Sequence, residues 1–89
     1  MLHWSGDDAF DETGARVATV ARFRDRVPGG GRFGPSVRFW NAFVAHEYVL
    51  GADGEPGRWA TEVEAKVAAL RAYVAHLAEH GGRFVLPPE

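Results

Sequence analysis

Eighty-nine residues make a single domain, and without a cysteine the chain has no disulfide, no thiolate metal ligand and no cysteine nucleophile. A hydrophobic share of 46%, with six Phe, three Trp and two Tyr, excludes a disordered chain, while a net charge of −2 argues against a dedicated nucleic-acid binder. No apolar run is long enough to span a bilayer, and the start Met1-Leu2-His3-Trp4 lacks the basic and apolar regions of a signal peptide, so the expected location is the cytoplasm and no membrane partner is expected.

The first segment opens with Asp7, Asp8, Asp11 and Glu12, then turns basic, with Arg16, Arg22, Arg24 and Arg26 against Asp25 alone. Phe10, Val17, Val20, Phe23 and Val27 share one broad face on a helical wheel, and Pro28 follows as a terminator. These signals predict a helix over 8–27. The competing signal is the period-two alternation of Arg22-Phe23-Arg24-Asp25-Arg26, together with the strand-favouring Val17 and Thr19.

The glycine-rich stretch that follows, Gly29-Gly30-Gly31-Arg32-Phe33-Gly34-Pro35, matches G-x-G-x-x-G literally. A dinucleotide fingerprint needs a buried strand before it and a doubly wound sheet around it, and this chain is too short for one. A phosphate loop of the Walker type fails because Pro35 stands where lysine must. What remains is a flexible connection whose Arg32, with Arg38 just beyond, can hold a single anion.

Residues 36–50 place Val37, Trp40, Phe43, Val44 and Tyr48 on one helical face, with Ser36 as a cap and Gly51 as a stop. This predicts a second helix. As a strand, both faces would be largely apolar, which suits a buried central strand. On the helix, Glu47 falls within the apolar face and is the candidate buried polar group, expected to pair with Arg16 or Arg24.

After a second loop at 51–57, Val63, Val67, Leu70, Val74 and Leu77 recur at spacings of four and three. Thr61 and Glu64 read as a capping box, Glu62 and Lys66 as an i,i+4 pair, and Gly81-Gly82 as a stop. A third helix is expected over 58–80. The predicted architecture is mainly α, a compact three-helix domain (8–27, 36–50, 58–80) with short extended termini. The alternative is an α+β fold with a small sheet, formed if the tail Arg83-Phe84-Val85-Leu86 pairs with the first four residues.

No constellation points to catalysis. His76 and His80 have chelating spacing but no third ligand fixed by sequence, and Ser5 and Ser36 lie in no nucleophile motif. No metal and no cofactor is expected. The distinctive feature is the arginine-rich stretch with aromatics beside it: Arg22, Arg24, Arg26, Arg32, Phe33, Arg38 and Phe39 are the candidate partner-binding residues. Arginine binds carboxylates bidentately and stacks on rings. The sequence therefore reads as a non-enzymatic protein–protein interaction module, a regulator, inhibitor, antitoxin-like or accessory subunit, docking an acidic protein surface or a second copy of itself. The alternatives are a nucleic-acid binder using 16–38 and a small enzyme or ligand-binding protein with Glu47 in an inter-helix pocket.

Overall fold

A computed structural model describes residues 2–26 and 36–87. The described residues form a five-stranded antiparallel sheet with one helix packed on it, in place of the three-helix domain expected from the sequence. The strands are β1 (His3–Ser5), β2 (Asp8–Phe10), β3 (Arg16–Arg26), β4 (Ser36–Val44) and β5 (Glu47–Tyr48), followed by α1 (Glu62–Glu79). They pair in chain order, each with the next, so the sheet is a plain meander. The small-sheet alternative also differs in detail, because β1 pairs with β2 and the tail 83–87 joins no strand.

The two expected helices are strands because a sheet uses both of their faces. In β3 and β4, Ala18 pairs with Val44, Val20 with Ala42 and Arg22 with Trp40. Cross-strand partners point to the same side, so Ala18, Val20, Ala42 and Val44 form one aliphatic face. The intervening residues Thr19, Ala21, Phe23, Phe39, Asn41 and Phe43 form the other. A helical wheel merges these two sets into one broad stripe; the pleat separates them. The β-branched and aromatic residues of both segments favour this outcome.

Tight turns make the meander. Gly6-Asp7 joins β1 to β2, with Gly6 at φ 63°. Ala45-His46 joins β4 to β5, and both residues have positive φ, 53° and 64°. That is the type I′ geometry of two-residue hairpins, here without the usual Asn or Gly. Between β2 and β3, Asp11 Oδ1 accepts from the Thr13 N–H (2.8 Å), the Thr13 hydroxyl (2.6 Å) and the Ala15 N–H (3.1 Å). These bonds, the hydroxyl's first, hold the Asp11 carboxyl below its ordinary range.

The helix begins four residues later than expected. Glu64 N–H donates to Thr61 Oγ1 (3.2 Å), and Glu64 Oε2 accepts from the Ala60 N–H (3.3 Å). At the other end Gly81 is left-handed (φ 64°) and Gly82 N–H donates to the Leu77 carbonyl (2.7 Å), a Schellman stop. The helix lies over β3 and β4, where Ala65 and Ala69 are fully buried against Ala9, Val17, Ala18, Val20, Ala42 and Val44. Trp4, Trp40, Trp59 and Tyr73 close the margins. Trp59 exchanges two backbone bonds with Trp40 (2.7 and 2.9 Å), which ties the segment before the helix to β4. No helix among the described residues is long and apolar enough to cross a membrane.

Candidate functional site

Three of the arginines that stand out in the sequence, Arg22, Arg24 and Arg38, lie on one side of the β3–β4 hairpin. Arg22 pairs across the ladder with Trp40, Arg24 with Arg38, and the Arg26 backbone with Ser36. They continue the face that begins as Ala18 and Val20. Beneath the helix that face is aliphatic, and beyond it the same face carries Arg22, Arg24 and Arg38, all exposed. Arg24 and Arg38 stand directly opposite each other, an arrangement in which like charges cost stability. None of Arg22, Arg24 and Arg38 has a carboxylate partner among the described residues.

Phe23, Phe39, Phe43 and Tyr48 take the opposite face, while Trp40 stays on the arginine side beside Arg22 and packs against the core. Phe23 and Phe39 are cross-strand partners with ring centroids 6.2 Å apart and planes at 22°. Phe43 meets Tyr48 at 4.5 Å. The Arg58 guanidinium lies over the Phe39 ring, 4.4 Å from its centroid. The 51–58 loop forms the far wall of a groove lined also by Phe23, Arg24, Phe39 and Tyr48, and brings Asp53 and Glu55 to it. Asn41, buried in mid-strand, fastens that loop by donating from Nδ2 to the Gly57 carbonyl (2.7 Å).

The sequence reading joins Arg22, Arg24, Arg38 and Phe39 into one surface; strand pairing sets Phe39 on the face opposite the three arginines, although Arg24 also borders the aromatic groove. Phe39 sits under Arg58 and points away from Arg22, Arg24 and Arg38. Strand alternation is the reason, since residues one apart face opposite ways. Arg32, Phe33 and the glycine-rich loop lie outside the described residues. Arg58, absent from the sequence-based set, joins the aromatic face because the Trp40–Trp59 pairing lays its segment alongside β4. No local sequence signal marks that pairing.

Glu47 departs furthest from expectation. It lies in the two-residue edge strand β5, opposite Val44, exposed and with no ion pair among the described residues. It is neither buried nor bound to Arg16 or Arg24; a helix would have turned it inward, whereas a short edge strand leaves it in water. Arg16 instead reaches Asp8 across β2–β3 at 3.9 Å. Arg16 also lines a small pocket with Thr19, Phe43 and His46, beside the left-handed 45–46 turn.

The two helix histidines hold the tail. Their rings stack at 4.3 Å, His76 Nε2 accepts from the Val85 N–H (3.0 Å), and His80 Nδ1 bonds the His76 carbonyl (2.8 Å). Phe84 thereby docks on His76 and Tyr73, at 5.3 and 6.1 Å. Burial, then the charges of Asp11 and Glu12, push the Tyr73 hydroxyl above its usual pKa. Among the described residues no group of three or more His, Asp or Glu side chains is placed to hold a metal. No protein-family model, curated protein or solved structure matches the chain.

Proposed function

We propose that this protein is a non-enzymatic interaction module that binds an acidic protein surface through the arginine face of the β3–β4 hairpin. The observation that carries the reading is the set of Arg22, Arg24 and Arg38: exposed, on one face, and without carboxylate partners among the described residues. Opposed like charges lower stability unless something neutralises them, and a partner's carboxylates do so by bidentate bonds. The Phe23–Phe39 stack on the reverse face stiffens the hairpin.

A protein partner is favoured over nucleic acid. The net charge of −2 opposes the long-range attraction that phosphate binding relies on; Phe23, Phe39, Phe43 and Tyr48 are on the wrong face to stack bases beside the arginines, and Trp40, beside Arg22, packs against the core. The absence of cysteine suits a reducing compartment, and the reading places the protein in the cytoplasm.

The test is a binding titration with an oligoglutamate peptide and, separately, a single-stranded oligonucleotide and heparin. The expected result is salt-sensitive binding of the peptide, lost in Arg22→Glu/Arg38→Glu with the circular dichroism unchanged. Tighter binding of the oligonucleotide would replace this reading with the nucleic-acid one. Binding unaffected by the double substitution would end it.

A further inference from the structure

The helix carries more apolar surface than its own sheet uses. Its inward face is small: Ala65 and Ala69 are fully buried, with Ala72 beside them. Its larger residues face out, with Val63 70%, Val67 44%, Leu70 41% and Val74 58% exposed. Alanine lets the helix lie close to the sheet, but the valines and leucine are then left without a counterpart among the described residues. Their spacing of four, three and four is the seam of a coiled coil. From Val63 to Val74 the seam runs about 16 Å at 1.5 Å per residue. Leu50, 58% exposed, lines one groove with Val63 and Val67 and widens the patch.

We propose that this seam is covered by the same seam of a second copy, packed antiparallel about a two-fold axis. Charge selects both the partner and the direction. The charged residues flanking the seam on the Leu50 side are Glu64 and Arg71, seven apart and on equivalent turns. When Val67 faces Leu70 and Val63 faces Val74 of the other copy, Glu64 of each copy falls opposite Arg71 of the other, twice by symmetry. Arg71 has no ion pair among the described residues, and Glu64 uses only Oε2 in its cap. A parallel pair instead sets Lys66 of one copy toward Arg71 of the other, a like-charge contact. An isologous antiparallel pair is the arrangement in which this surface complements itself. The seam is short, which puts the interface at the small end of specific ones and the dissociation constant on the order of 10 μM. The hairpin arginines take no part.

Sedimentation equilibrium on the full chain tests this. The expected result is a monomer–dimer equilibrium abolished by Leu70→Glu, with helix content unchanged, and indifferent to Arg22→Glu/Arg38→Glu. Arg71→Glu is expected to weaken the dimer about tenfold, the equivalent of 1.4 kcal/mol, and adding Glu64→Lys to recover most of that. The natural chain has no cysteine, so direction is read directly. A mixture of Val67→Cys and Leu70→Cys variants under mild oxidation is expected to give the mixed disulfide in preference to either homodisulfide. Monomer at every concentration up to about 500 μM, well above the expected constant, would overturn the proposal. So would a dimer insensitive to Leu70→Glu, preferential homodisulfides, or a different protein occupying the seam while the chain alone stays monomeric.

Discussion

Replacing Ala69 by leucine adds three carbons where the side chain is fully buried between the helix and the sheet. Close-packed interiors accept extra methylenes only by shifting side chains and backbone, at about 1–3 kcal/mol. Helix propensity changes little between the two residues, so the whole cost is packing. Val74→Ala gives the opposite case. Fully burying a valine side chain is worth about 2 kcal/mol, and a side chain 58% exposed holds less than half of that, roughly 0.8 kcal/mol. Alanine returns about 0.6 kcal/mol in helix propensity, and a surface truncation leaves no cavity. The net change is close to zero. Urea unfolding read by circular dichroism, with unchanged slope, measures both. It should be run at low micromolar concentration and again tenfold higher, because dimerisation through the seam would stabilise the natural chain and make Val74→Ala costly only at the higher concentration. A costly Val74→Ala at low concentration with a harmless Ala69→Leu would mean that the valine stripe, not the alanine face, lies on the sheet.

Other substitutions probe the rest of the account. Asn41→Ala removes the 2.7 Å bond to the Gly57 carbonyl and leaves that acceptor without its partner, so unfolding should become easier by about 1–3 kcal/mol. Gly57→Ala puts a methyl inside the van der Waals envelope of the Trp59 indole, and a change in Trp59 fluorescence should accompany a loss of stability. His46→Gly relieves a left-handed residue, φ 64°, and should raise stability by about 1 kcal/mol in thermal unfolding. Asp11 is held below its ordinary value of 3.8 in the folded chain, so its contribution is present above that value and is lost as pH falls through the folded pKa; Asp11→Ala should flatten the acid limb of stability against pH. Tyr73 is raised above 10.0, so its contribution is present below 10.0 and is lost as pH rises through the folded value; Tyr73→Phe should remove that part of the alkaline limb.

The one helix was legible because its signals are local. Thr61 and Glu64 cap it and Gly81 and Gly82 end it within a few residues of the sequence. Its orientation was not legible. The stripe from Val63 to Val74 is the natural candidate for a packed face, yet the sheet selects the alanines between. The first two segments misled for a related reason: each is apolar on both sides, and a wheel collects such a pattern as readily as a pleat does. What decides is the pairing of Ala18 through Arg26 with Ser36 through Val44, a long-range fact that no window of sequence contains. The Ala45-His46 turn that returns the chain to β5 lacks the Asn or Gly that announces a type I′ hairpin, and so passed for helix. The arginine row was visible in the alternation of residues 22–26. Read as a strand, that alternation already separates Arg22 and Arg24 from Phe23; read as a helix, it merges them into one surface.

The most direct test of the proposed docking face is a chemical-shift map of isotope-labelled protein titrated with an oligoglutamate peptide at low salt. Shifts are expected to concentrate at Arg22, Arg24, Arg38 and their neighbours on the helix side of the hairpin and to reverse with added salt, with Phe43, Tyr48 and the helix seam unmoved. Shifts centred on the aromatic groove or on the helix, or none at all, would contradict it.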